Sequence, residues 1–228
     1  MVCYYGTWSV YRPGNGKFDV ENIDPFVCTH VIYAFAGLGT DNQIQSLDPW
    51  NDLPDNWGKN GFGRFVGLKK RNPQLKTLLA IGGWNEGSLK YSNMVASKKN
   101  RRVFINSVID LLSKYGFDGL DLDWEYPANR GGRPEDKQNY ADLLREMRPE
   151  FSQRGWLITA AVSAGKSVID TAYDVPTMSL MLDFINVMAY DYHGGWEKFT
   201  GLNAPLFSRS GDSPYNNVVS FKWFFTII

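Results

Sequence analysis

Two hydrophobic patterns alternate along this chain: unbroken apolar runs, and stretches in which apolar residues recur every three or four positions. Thr29 to Gly37 (THVIYAFAG) and Leu75 to Ile81 are of the first kind, and each predicts a strand buried on both faces. Val2 to Tyr5, Gly119 to Glu125, Trp156 to Ser163 and Phe184 to Tyr190 predict four further strands. Phe62 to Lys70, Ser97 to Tyr115 and Glu135 to Arg154 read as helices. In the second of these, Val103, Val108, Leu111 and Leu112 share a face and Lys98, Lys99, Arg101 and Lys114 fall outside it. Gly116 is placed to stop that helix. In the third, Tyr140, Leu143, Leu144 and Met147 form the apolar stripe. Strands alternating with helices predict an α/β fold with a parallel sheet. Glycines and polar residues gather at the strand ends, as in the (β/α)8 TIM barrel. Such a barrel takes about 250 residues. Here six strands fall before residue 192, the apolar segment Val218 to Ile228 is the candidate for a seventh, and no eighth can be placed.

Composition narrows the function. The 24 basic and 24 acidic residues cancel, which speaks against a nucleic-acid or polybasic membrane-surface partner. No run of about 18 apolar residues marks a membrane span. Aromatic content is high at 15%, suited to a groove for flat or sugar-like ligands. Cys3 and Cys28 read either as buried thiols or as a bridge in an oxidising compartment. Met1 runs directly into Val2, Cys3 and Tyr4, so the chain reads as cytosolic or as one whose leader Met1 replaces. Gly61, Gly63 and Gly67 miss the dinucleotide-loop spacing, Ser163 lacks the first glycine of a nucleophile elbow, and His30 and His193 are far apart in sequence with no Cys or acid arranged as metal ligands. No metal and no cofactor are expected.

The chemistry concentrates in Phe117-Asp118-Gly119-Leu120-Asp121-Leu122-Asp123-Trp124-Glu125. Residues two apart on a strand share a face. Asp121, Asp123 and Glu125 therefore project together into the lumen, and Leu122 and Trp124 project toward the helices. Like charges at close range raise the pKa of at least one carboxyl, and a carboxyl kept protonated near neutrality is a general acid. Asp118 has the wrong parity to join them and is assigned a structural role.

Asp118-x-x-Asp121-x-Asp123-x-Glu125 resembles the DxxDxDxE signature of family 18 glycoside hydrolases, the chitinases and chitinase-like lectins. Val2-Cys3-Tyr4-Tyr5 is similar to the family's first strand and Cys28 through Ala36 to its second. Ala80-Ile81-Gly82-Gly83-Trp84 is similar to its S-x-G-G element, with Ala80 for Ser, and Met188-Ala189-Tyr190-Asp191 to its M-x-Y-D element. The resemblance is to animal, above all arthropod, chitinases. It runs to Ser213 and makes residues 1–213 a partial catalytic barrel, about three-quarters of the family's domain. The family's inserted α+β subdomain is missing, and residues 214–228 form an apolar tail unlike the family.

The resemblance implies hydrolysis of β-1,4 bonds between N-acetylglucosamine units of chitin, by a retaining mechanism in which the substrate's own acetamido oxygen attacks C1. It makes Glu125 the acid and base and has Asp123 orient the acetamido group. Asp121 would pair with Asp123, Tyr190 would donate to the acetamido oxygen, and Asp191 would contact the sugar. Trp84 and Trp8 would stack on sugars, and Tyr4, Phe35, Met188 and Tyr126 would shape the site. Trp156 and Phe184 are read as core. It further implies a Cys3–Cys28 disulfide, an extracellular protein and a monomer whose partner is chitin or a chito-oligosaccharide. Lectin-like relatives replace the acid; this chain keeps it as Glu125. A non-catalytic binder and an inactive fragment are the alternative readings.

Overall fold

The computed structural model describes residues 1–211. Ser213 and the expected strand over Val218 to Ile228 lie outside the described residues. In chain order the elements are β1 (Val2–Gly6), β2 (His30–Leu38), β3 (Ile44–Ser46), α1 (Pro49–Asp52), α2 (Gly61–Val66), β4 (Lys76–Gly82), α3 (Leu89–Val95), α4 (Lys98–Tyr115), β5 (Gly119–Asp123), α5 (Asp136–Arg154), β6 (Leu157–Ser163), α6 (Lys166–Ala172), α7 (Val175–Met181) and β7 (Phe184–Met188). The sheet order is β1-β2-β4-β5-β6-β7, every neighbouring pair parallel, with β3 added antiparallel to β2. This is the strand–helix alternation of a (β/α) barrel, in which each βα loop opens at the same end of the sheet.

Strand parity sorts the core into two layers. The outward residues Val31, Tyr33, Leu79, Ile81, Leu120, Leu122 and Ile158 pack with Phe104, Val108 and Leu112 of α4 and Leu143, Leu144 and Met147 of α5. The inward residues Ile32, Ala34, Leu78 and Ala80 form a smaller luminal cluster, joined by Val2, Phe35 and Leu157. Gly116 ends α4 with a positive φ of 79°, its N–H donating to the Leu112 carbonyl, as the glycine signal predicts. The disulfide Cys3–Cys28 ties β1 to the chain just before β2.

Three expectations need correction. The fifth strand stops at Asp123 rather than Glu125, and the last at Met188 rather than Tyr190. The ladders run out there: Gly82↔Asp123 and Ser163↔Met188 are the final pairs. Arg101 is not on a solvated face. It is buried, donating to the Val95 carbonyl at 2.7 Å and pairing with Glu146 of α5 at 2.7 Å.

Asp118 closes the bottom of the sheet. Its Oδ2 accepts from Thr77 N at 2.8 Å, Thr77 Oγ1 at 3.0 Å and Lys69 Nζ at 2.9 Å. Thr77 is fully buried, so removing the acceptor strands a buried N–H, a loss of about 1–3 kcal/mol. Asp118→Ala is expected to lower stability by about 2 kcal/mol, read as a reduced urea midpoint with an unchanged slope. An unchanged midpoint would show that Asp118 is not holding β4 to β5.

Candidate active site

Asp121 and Asp123 point into the lumen from β5, and Glu125 follows two residues later on the same side. Leu122 and Trp124 lie in the outer core, as the alternation predicts. The flanking luminal positions are small. Ala80 and Gly82 of β4 stand beside Asp121 and Asp123, and Thr159 of β6 stands on the other side of Asp121. Gly82 has a φ of +119°, and a Cβ there would overlap the Asp123 carbonyl oxygen. Gly83, with φ +87°, donates its N–H to that carbonyl at 2.8 Å, and a Cβ would press on the Phe35 ring at 3.0 Å. The glycine pair thus lets the chain turn directly against the acid strand.

Each acid has a different environment. Asp121 is fully buried and accepts from the Tyr4 hydroxyl at 2.8 Å, Asn186 Nδ2 at 3.2 Å and the Thr159 hydroxyl. Burial still outweighs these bonds and raises its pKa. Asp123 and Asp121 are not hydrogen-bonded to each other at rest; three donors serve the Asp121 oxygens. Its Oδ1 is buried without a partner. Burial first, then the charges of Glu125 and Asp121, push Asp123 up to about 8. Glu125, 9% exposed, is also raised by burial, although Tyr126 and Arg130 favour its ionised form. Tyr190 is pushed up to about 12, by burial and then by the neighbouring carboxylates. The site therefore retains protons that separate carboxyls would lose near neutrality.

These groups open into a cleft of about 1860 Å³ at the C-terminal ends of the strands. Asp123 and Glu125 are part of its wall, with Trp8, Phe35, Trp84, Tyr126, Met188, Tyr190 and Asp191 of the residues expected from sequence. Trp8 stacks on Phe35 with an interplanar angle of 14°. Trp84 is 58% exposed, with the Arg130 guanidinium carbon 3.5 Å from its ring centroid. Asp191 has a positive φ of 55°, and its carboxylate accepts from Asn203 Nδ2 at 2.7 Å. Tyr4 joins the acids at the base of the cleft, its hydroxyl donating to Asp121 and accepting from Asn186 Nδ2. Trp156 packs edge-on against Phe151, and Phe184 meets the His30 ring.

Sequence reasoning missed Asn186, Thr159 and Arg130, and the cleft residues Tyr11, Glu86 and Trp196. Asn186 is the single polar residue of β7, and Thr159 shares β6 with Ser163 alone. Two cis peptide bonds, Ala34–Phe35 and Glu125–Tyr126, also border the site. Among the described residues, no group of three His, Cys, Asp or Glu is arranged to hold a metal ion, and no helix is long and apolar enough to cross a membrane.

The sequence model for Glycosyl hydrolases family 18 matches residues 1–226, a match that continues past Ser213. The chain is 52% identical over 213 residues to "Probable chitinase 2" of Drosophila melanogaster, covering 93% of this chain and 44% of that protein. It is 45% identical over 217 residues to "Endochitinase" of Manduca sexta, covering 93% of this chain and 38% of that one. The chain thus spans less than half the length of these two relatives. Among solved structures, the Ostrinia furnacalis Group IV chitinase in complex with allosamidin superposes with a TM-score of 0.93 at 45% identity, covering 99% of this chain and 61% of that chain.

The protonated state of Asp123 has a measurable consequence. Its folded pKa of about 8 lies above the ordinary carboxyl value of 3.8. The folded state therefore takes up a proton that the unfolded chain has lost. Stability from this group is complete below about pH 4 and falls by about 1.4 kcal/mol per pH unit until the folded pKa is passed. Asp123→Asn cannot ionise. Its melting temperature should match the wild type's near pH 4 and exceed it by a growing margin at pH 6 and 8. A difference independent of pH would remove Asp123 as the proton-holding group.

Proposed function

Because this chain belongs to glycosyl hydrolases family 18, we propose that it hydrolyses the β-1,4 bonds between N-acetylglucosamine units of chitin by a retaining, substrate-assisted mechanism. The observation that carries the proposal is the proton-holding pair at the cleft wall: Glu125 raised by burial beside Asp123 held up to about 8. A retaining glycosidase that attacks with its own carboxylate needs an ionised second acid close to the first. Asp123 keeps its proton through neutrality, and Asp121 is sealed beneath three donors. In keeping with what the family resemblance implies, the nucleophile is assigned to the substrate.

Glu125 gives its proton to the glycosidic oxygen as the C1–O bond breaks. The acetamido oxygen of the same sugar bonds to C1 from the opposite face, forming an oxazolinium ion. The free oxygen of Asp123, otherwise unpartnered, accepts the acetamido N–H and aligns the group. Tyr190, whose hydroxyl stays protonated, donates to the acetamido oxygen. Glu125, now a carboxylate, takes a proton from water. The water oxygen bonds to C1 on the face the leaving group vacated as the bond between C1 and the acetamido oxygen breaks, which restores the acetamido group and keeps the β configuration. Asp121, fixed by Tyr4, Thr159 and Asn186, pairs with Asp123 only once Asp123 turns toward it, and Asp191 borders the scissile bond.

The aromatic wall suits this substrate, since pyranose rings present C–H faces to flat rings. Trp84 and Trp8 stack on sugars; Phe35, Met188 and Tyr126 shape the pocket around the reacting ring. The Ostrinia chitinase bound to allosamidin supports assigning a carbohydrate to this cleft. The Cys3–Cys28 disulfide suits a secreted protein. We further assign it as a monomer without membrane attachment, binding chitin or chito-oligosaccharides.

Hydrolysis of a fluorogenic chitotrioside by this chain, beside Glu125→Gln, tests the proposal. Losing the acid is expected to cost about 10²–10⁴-fold in kcat while a chito-oligosaccharide still binds. Equal turnover by both proteins, or none by the wild type, would overturn it.

A further inference from the structure

Arg130 has no assigned part in the steps above, yet it joins two of the groups on which they depend. It sits in the loop between β5 and α5 with a φ of 51°. Its Nη1 donates to the Trp84 carbonyl at 3.0 Å and to the Glu125 carbonyl at 2.9 Å. Its Cζ lies 3.5 Å from the centre of the Trp84 ring, the distance of a flat cation stacked on an indole. One guanidinium thus grips the backbone of the aromatic residue, the backbone of the acid and the indole itself. The loop that presents it is anchored separately. Asp136, fully buried, accepts from Ala128 N at 3.3 Å and Arg133 N at 2.7 Å, and Asn129 Nδ2 donates to Thr171 Oγ1 of α6 at 3.2 Å.

We infer that Arg130 is a positioning residue for carbohydrate binding: it holds the Trp84 indole in one orientation relative to Glu125, so that a sugar ring stacks on an already ordered surface. The inference rests on the reading of the cleft as a site for N-acetylglucosamine oligomers. Trp84 is more than half exposed, and an unrestrained side chain there must lose its rotamer freedom when a ligand binds. Arg130 meets that loss in advance. Lysine would keep the charge but not the flat fork that stacks and donates in one plane. The inference is thereby separable from a pure charge effect on Glu125.

The test is calorimetric binding of the N-acetylglucosamine hexamer to the full chain carrying Glu125→Gln, so that no turnover consumes the ligand. In that background Arg130→Gln is expected to weaken binding by about fivefold, and Arg130→Lys by nearly as much. Trp84→Ala should weaken it as well. Adding Arg130→Gln to Trp84→Ala should then cost less than about twofold more, because the group it acts through is gone. Fully additive losses, or complete rescue by lysine, would overturn the inference. Melting temperatures identify any variant that fails to fold, and Arg130→Met, which retains the aliphatic stem, replaces it in the cycle. Absence of binding by the Glu125→Gln parent overturns the inference too. Absence of hydrolysis by the wild type, with the coupled binding intact, overturns only the catalytic reading.

Discussion

Three carboxyl groups on one strand face cannot all be ionised inside a lumen floored by Ile32, Ala34, Leu78 and Ala80. The local structure is arranged around that constraint. Asp121, the deepest, receives three donors from three different strands, since Tyr4, Thr159 and Asn186 come from β1, β6 and β7. Asp123, one layer higher, receives no donor at Oδ1 and keeps a proton instead. Glu125, at the rim, is balanced by a tyrosine, an arginine and partial access to the cleft. A gradient of solvation along five residues thus gives three identical functional groups three distinct states.

The opposite face of the same segment supplies rigidity. Trp124 is packed between Tyr91 and Tyr140, and its Nε1–H donates to Ser88 Oγ at 2.7 Å. Ser88 in turn donates to the Tyr126 carbonyl at 2.9 Å. The residues on either side of Glu125 are therefore tied to one serine just before α3. A displacement of the acid therefore disturbs the contacts of Trp124 and Ser88 with the helical layer.

How much of this was legible follows from the range of each signal. The alternation in Gly119 to Glu125 is local, so the luminal placement of the acids and the outward placement of Trp124 could be read directly. The unbroken apolar runs gave the parallel strands for the same reason. Periodicity continues past the last ladder pair, however, and overruns β5 and β7 by two residues each. α3, α6 and α7 are each seven residues, about two turns, too short for a face to repeat convincingly. β3 has three residues and is held by distant partners, β2 and Ser107 of α4. Asn186 and Thr159 act on Asp121 from 65 and 38 residues away. Nothing beside either residue in the chain announces that partner. Arg101 looked solvent-facing because its partner, Glu146, lies on another helix.

Asp123 also bears on how this molecule could change over evolutionary time. A buried acceptor without a partner is a local defect that many single substitutions would repair, by supplying a donor or by replacing the carboxyl with something apolar. In the mechanism proposed above, each repair would consume the oxygen assigned to the substrate. Selection for robustness and selection for turnover therefore pull this position in opposite directions. Extra stability is obtainable without that conflict only at sites remote from the lumen, in the helical layer and its surface ion pairs.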